Sequence, residues 1–279
     1  MTTISRSLDV SRSNIYERLE GPSVTLKRTR QRLSRSDDEW ILPMIRDMLA
    51  WRPTYGYRRV TGLIGRQLES QGKHRVNAKR IQRIMRENNL SLERYTARPT
   101  RTHDGKIVTL KSNLRWCSDG FRIQCWNGDR LEIVFSLDCH DREAIRWIAS
   151  SKGIDGQTVR DLMTESAESR FPGLKILPHK IQWLTDNGPG YVAEETVLFG
   201  RSLGFEICTT APYSPESNGM AEAFVKTFKR DYVAFGDLSS AERVLEQLPG
   251  WFEDYNEIAP HKGLAMKSPR EYLRSYQHA

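Results

Sequence analysis

The spacing of apolar and polar positions changes near the middle of the 279-residue chain. Before about position 96 the period is helical. Trp40, Ile41, Met44, Ile45, Met48 and Leu49 recur at three- and four-residue steps and predict an amphipathic helix capped by Asp37. Pro43 inside that stripe should kink the helix or push its start later. Val60, Leu63, Ile64 and Leu68 mark a second helix, ended by Gly72. Asn77 is placed to cap a third, whose inner face is Ile81, Ile84 and Met85. Upstream, Ile4 to Leu19 is a shorter periodic piece with Ser11 or Ser13 as N-cap, and the basic run Thr25 to Ser36 reads as linker. Three short helices with a basic last member form the pattern of a helix-turn-helix module.

Ala97 to Asn113, with Pro99 and Gly105 among polar residues, has no period and reads as an interdomain linker. Beyond it the period becomes that of strands. Leu114 to Gln124 alternates, Asn127-Gly128 signals a hairpin, Leu131 to Leu137 is β-branched and apolar, and Ala144 to Ala149 makes a third strand. A helix from Gly156 to about Arg170, a buried strand Ile181 to Leu184, a helix Glu194 to Leu203 and a strand Phe205 to Thr209 follow. After a Pro- and Ser-rich loop, a helix runs from Gly219 to about Tyr232. This order predicts an α/β layer with a hairpin-built sheet. The expected division is a basic N-terminal segment (1–36), a small all-α domain (37–96), the linker (97–113) and an α/β core with a C-terminal helical tail (114–279).

Composition narrows the function classes. A hydrophobic content of 38% with seven Trp, nine Phe and ten Tyr excludes a wholly disordered chain. No apolar run approaches the ~20 residues of a membrane span. Met1 to Val10 lacks an apolar signal region, so a cytoplasmic protein is expected. Cys117, Cys125, Cys139 and Cys208 fall in no paired spacing, which fits a reducing compartment and argues against structural zinc, as do the six scattered histidines. The net charge of +8 is divided unevenly. Residues 1–112 hold 24 Lys and Arg against 11 Asp and Glu, and the remainder holds 19 against 24. A basic front end points to nucleic acid, with Arg58, Arg59, Lys79, Arg80 and Arg83 on the second and third helices as contacts.

The acidic half carries the candidate chemistry. Asp119 in Trp116-Cys117-Ser118-Asp119-Gly120, Asp186 in Thr185-Asp186-Asn187-Gly188 and Glu222 after Ser217-Asn218-Gly219 stand at expected strand ends or helix starts. Thirty-five residues separate Asp186 from Glu222. Lys226 and Lys229 follow Glu222 at helical spacing on one face, while Phe224, Val225 and Phe228 turn toward the sheet. Converging carboxylates select hard Mg²⁺ or Mn²⁺, and two such ions can activate the attacking oxygen and stabilise the leaving oxygen of a phosphodiester. Lysines beside them would hold the DNA backbone.

These residues resemble the DDE transposases of bacterial insertion sequences, in the retroviral-integrase superfamily, and specifically the second-frame OrfB or InsD type. The likeness extends to Tyr55-Gly56-Tyr57-Arg58-Arg59, Asn77-Ala78-Lys79-Arg80, Tyr255-Asn256, Pro260-His261 and Ser268-Pro269-Arg270-Glu271-Tyr272. It departs at Gly120-Phe121, where the family often has Ile-Thr. The resemblance implies a ribonuclease-H-like integrase core behind a helix-turn-helix-type domain. Asp119, Asp186 and Glu222 would hold two Mg²⁺ or Mn²⁺ ions, and Lys229 and Lys226 would contact DNA. It further implies DNA cleavage and 3′-hydroxyl strand transfer, a synaptic assembly of several copies, a nucleoid location, and in many members fusion to an upstream-frame helix-turn-helix protein.

Other readings predict different behaviour. Asp138 rivals Asp119 but more simply closes the turn after the second strand, and Asp186-Asn187-Gly188 alone would be an ordinary turn. A catalytically passive DNA-binding regulator would bind without Mg²⁺-dependent nicking, and a nuclease of the same fold would cut without joining.

Overall fold

The computed structural model describes residues 38–92, 109–209 and 219–277. The helical piece at Ile4–Leu19, the Asp37 cap, most of the expected linker and the Pro/Ser-rich loop lie outside the described residues. Residues 1–43 and 44–279 form two compact units.

Three helices lead: α1 (Ile41–Trp51), α2 (Tyr57–Ser70) and α3 (Ala78–Glu87). Pro43 does not kink α1, because the helix starts at Ile41 and places Pro43 in its first turn, where no backbone N–H is needed. Trp40 precedes the helix and is exposed, a correction to its expected place on the apolar stripe. In α2, Val60, Ile64 and Leu68 are buried at helical spacing. Asn77 caps α3 as expected, its side chain accepting from the Lys79 N–H at 2.9 Å, and Ile81, Ile84 and Met85 are buried.

The second half is a five-stranded mixed sheet in the order β3-β2-β1-β4-β5, built from β1 (Arg115–Gln124), β2 (Arg130–Asp138), β3 (Ala144–Ser150), β4 (Ile181–Thr185) and β5 (Phe205–Thr209). The first three strands are antiparallel, joined at β1–β2 by the Asn127-Gly128 turn, where Gly128 takes a φ of 95°. β4 and β5 add in parallel through α4 (Gly156–Arg170), the short α5 (Pro189–Val192) and α6 (Glu194–Leu203). α7 (Gly219–Asp231), α8 (Ala241–Glu257) and α9 (Pro269–Gln277) complete the chain. The one-turn α5 was not anticipated, since four residues are too few to show a period.

Strand alternation sorts the core onto two faces. Cys117, Phe121 and Ile123 of β1 pack with Phe135, Phe224, Phe228, Phe252 and Tyr255. Trp116 packs on the other face with Val159, Leu162, Met163, Trp183 and Phe205. Asp138, fully buried at the end of β2, closes the following turn: its carboxylate accepts from the N–H groups of Asn113 (2.7 Å) and His140 (2.7 Å) and from the Trp116 indole (3.1 Å).

The described helices are fastened to the C-terminal part of the same unit by arginines. Arg59 donates to Asp231 at 2.7 Å, joined there by the Thr54 hydroxyl at 2.5 Å, and its guanidinium lies 3.5 Å from the Tyr55 ring centre. Arg52 holds Asp254 through both amino groups, and Tyr232 donates to the same carboxylate at 2.8 Å. Arg66 reaches Glu271 at 2.9 Å and the carbonyls of Ile258 and Met266. Among the described residues no helix is long and apolar enough to cross a membrane.

Candidate active site

The sheet register brings the two aspartates to one level. β1 and β4 run parallel with Arg115 beside Gln182, Trp116 beside Trp183 and Cys117 beside Leu184. Continuing that register sets Asp186, the residue just after β4, opposite Asp119. Asp119 therefore sits at the middle of β1 and not at a strand end, a correction to the expected placement. It is accessible because β4 stops at Thr185 and leaves that edge of β1 uncovered. Side-chain parity aims Asp119 to the face shared by Cys117 and Phe121, which α7 covers.

Glu222 enters from α7. Ala221, Phe224 and Phe228 bury the inner stripe of that helix, so Glu222 stands beside the stripe, in the first turn, where the helix dipole favours an acid. Val225 is only half-buried, so its expected turn toward the sheet is partial. Lys226 pairs with Glu222 at 3.8 Å and is mostly exposed. Lys229 places its ammonium 5.7 Å from the centre of the Phe121 ring, two residues along β1 from Asp119.

The charges of Asp186 and Glu222 act on Asp119. Burial first, then the negative charges of Asp186 and Glu222, push the Asp119 carboxyl up to about 6, against the pull of the Gly120 N–H that it accepts at 2.7 Å. Asp186 accepts from the Gly188 N–H at 3.0 Å. A side chain at 188 would crowd that carboxylate, since an added Cβ would lie 3.0 Å from its Oδ1, so glycine permits the turn to close on Asp186. Among the described residues no group of three or more His, Cys, Asp and Glu side chains is gathered closely enough to hold a metal ion.

Beside Asp119 and Asp186 opens a cleft of about 320 Å³, lined by Gly120, Arg122, Val134, Gly188 and Tyr191. Tyr191, carried by α5, shares a 3.0 Å hydrogen bond with the Ser118 hydroxyl, and burial pushes its phenol up. Sequence reasoning gave neither residue a role, because α5 has no periodic signal and Ser118 figured only as part of the motif around Asp119.

The expected DNA contacts are spread out. Arg58 is exposed with its guanidinium 5.2 Å from the Tyr57 ring centre, and Lys79 is exposed at the start of α3. Arg83 pairs with Glu87 at 3.3 Å, and Arg80 is half-buried on the same helix. Arg59 differs from its expected role, since Asp231 and the Tyr55 ring occupy its guanidinium.

Comparison with known proteins gives this geometry a family. Residues 110–215 and 203–269 each match an Integrase core domain, and residues 37–98 match an HTH-like domain. The transposase InsD for insertion element IS2A/D/F/H/I/K of Escherichia coli is 45% identical, over 98% of this chain and 91% of that protein. The transposase InsD for insertion element IS2-11 of Escherichia coli strain K12 matches at the same identity, over 98% of this chain and 89% of that protein. Among solved structures, a simian T-cell lymphotropic virus intasome overlaps 75% of this chain and 69% of its own at 17% identity and a TM-score of 0.49. The integrase core and the preceding helix-turn-helix-like region expected from the sequence are both matched by family models, and an identity of this extent to InsD makes the chain a member of the InsD family of insertion-element transposases.

Proposed function

We propose that the chain cleaves DNA at the ends of its element and joins the freed 3′ hydroxyl to a second phosphodiester, with Asp119, Asp186 and Glu222 as its catalytic residues. The observation that carries this reading is the β1–β4 register that sets Asp119 and Asp186 at one level of the sheet beside an open cleft, where burial first and then the charges of Asp186 and Glu222 raise the Asp119 carboxyl. An all-oxygen donor set whose charges repel fits Mg²⁺ or Mn²⁺, and these three side chains would hold two such ions. Bound there, divalent ions supply activation of the attacking oxygen and stabilisation of the leaving one. The protein's own part is positional. β1 and β4 hold two carboxylates at fixed register, α7 presents the third, and Lys226 and Lys229 bring a phosphodiester backbone to that face.

The division of labour follows the sequence reading. Residues 37–96 act as a helical DNA-binding domain through Arg58, Lys79, Arg80 and Arg83, and Arg59 fastens that domain to α7. Residues 97–113 connect it to the core at 114–279. Two DNA ends must meet, so the working form is an assembly of several copies, acting on cytoplasmic, nucleoid DNA, with or without an upstream-frame helix-turn-helix partner.

The test is to incubate the protein with labelled element-end DNA and Mg²⁺ beside Asp186→Asn. The substituted protein should bind DNA normally and lose cleavage and joining by about 10³-fold or more, the scale of removing one transition-state electrostatic group. An Asp186→Asn protein that still joins strands would sink the assignment.

A further inference from the structure

On the face of α7 next to Glu222 lies a second, smaller cleft that the proposed chemistry does not use. It measures about 80 Å³ and is lined by Leu137, Arg142, Ala223, Thr227, Tyr255 and His261, among others. Its polar groups are unusual for so small a space. His261 as a whole is half-buried, yet its Nε2 is buried and has no hydrogen-bond partner, while the ring bonds to the Tyr255 backbone and packs edge-on against the Tyr255 ring at 4.8 Å. A buried polar atom left unpaired costs about 1–3 kcal/mol. Arg142 comes from the β2–β3 turn, is half-buried, and forms no ion pair among the described residues. Its guanidinium runs so close to Gly263 that a Cβ there would meet Nη2 at 2.1 Å, so glycine at 263 gives the arginine its path into this region.

A half-buried guanidinium without an acid, beside a buried ring nitrogen without a partner, is a pair of groups built for an anion. The volume equals that of two or three waters at ~30 Å³ each, enough for one phosphate group and too little for a nucleoside. We propose that this cleft binds a single phosphate group, held by the Arg142 guanidinium and by His261 Nε2. Burial, with the charges of Arg142 and Arg59, pushes the His261 imidazole down to about 3, so the ring is neutral until an anion arrives. The groups facing that ring are Arg142 from the turn, Arg59 from α2, Asp231 from α7 and Tyr255 from α8. A phosphate between Arg142 and the ring offsets the positive field, and Nε2 then takes a proton and donates. Two sources supply such a group: a phosphodiester of DNA lying along α7, and free inorganic phosphate.

The experiment has two arms. In the first, the full-length protein is titrated with inorganic phosphate while the histidine ring signals are followed by ¹⁵N NMR. A saturable shift of His261, lost in Arg142→Gln and partly restored in Arg142→Lys, is expected. In the second, binding is measured for a short duplex whose phosphates are replaced one at a time by neutral methylphosphonates. If DNA is the source, one position lowers affinity about tenfold in the unsubstituted protein and has no effect in Arg142→Gln, the scale of one charge-assisted hydrogen bond. Saturation by phosphate with no coupled position identifies the free anion as the ligand. Neither saturation nor coupling means the cleft holds water only, and overturns the proposal. The wild-type titration needs no variant to fold, and strand cleavage by the same preparation reports on the carboxylates separately.

Discussion

Asp119→Asn should make the metal-free protein more stable above pH 7. The Asp119 carboxyl titrates near 6 in the fold against an ordinary 3.8, because burial and the charges of Asp186 and Glu222 disfavour its ionised form. A folded value above the unfolded one means that the charge opposes folding. That cost is fully present above about pH 6 and absent below about pH 4, so stability falls as pH rises through this window. Taken alone, the gap corresponds to about 3 kcal/mol. Asp119 is only half-buried, and screening by solvent reduces this to about 1–2 kcal/mol. Asparagine keeps an oxygen for the Gly120 N–H and removes the charge, so it should recover that amount. For a chain of this size the gain is about 2–6 °C in Tm. The assay is thermal unfolding in EDTA at pH 8 and at pH 4, followed by tryptophan fluorescence. Mg²⁺ should then raise the Tm of the unsubstituted protein and leave that of Asp119→Asn nearly unchanged, because the ion stabilises only the form that binds it. A variant no more stable at pH 8, or one whose gain persists at pH 4, would refute the argument that these charges are gathered against their own repulsion.

Three further outcomes follow from named contacts. Glu222→Gln removes one of the two charges that raise Asp119, so ¹³C titration of the Asp119 carboxyl should find it below 6 yet still above the ordinary value, since burial is the larger cause. Asp231→Asn removes the charge that binds Arg59, Arg230 and the Thr54 hydroxyl, and should cost about 3 kcal/mol in urea unfolding, with faster amide exchange in α2 than in the sheet. Asn256→Ala removes a side chain that accepts from the Ala144 N–H and donates to its carbonyl, both at 2.9 Å, and should cost about 2–3 kcal/mol without changing DNA affinity.

Much of this fold was legible because long amphipathic segments carry their period in the sequence. Val60, Ile64 and Leu68, or Ile81, Ile84 and Met85, could pack in few ways other than the one observed. The carboxylates are proposed on a different ground: their spacing resembles a family's, whereas no local pattern distinguishes Asp119 from an ordinary strand acid. What escaped was whatever depended on contacts across the chain. Arg59 read as a DNA contact because sequence shows its charge and not its partner Asp231, 172 positions away. Tyr191 and Ser118 meet only because α5 and β1 converge.

The tail motifs illustrate how a family likeness conceals the physical reason for a residue. Tyr255-Asn256, Pro260-His261 and Ser268-Pro269-Arg270-Glu271-Tyr272 stood beside the carboxylates as one signature, yet their work is mostly different. Asn256 closes the start of β3 by pairing with both backbone groups of Ala144. Arg270 holds the buried Glu143, which also binds Arg170, and Glu271 holds Arg66 of the helical region. These contacts tie β3, α8 and α2 to the rest of the unit that carries α7. His261 is the exception, since its Nε2 satisfies no neighbour. Where Asn256, Ser268, Arg270 and Glu271 all have side-chain partners, an unpaired buried ring nitrogen beside an arginine without an acid is the place to look for a ligand and not for another brace.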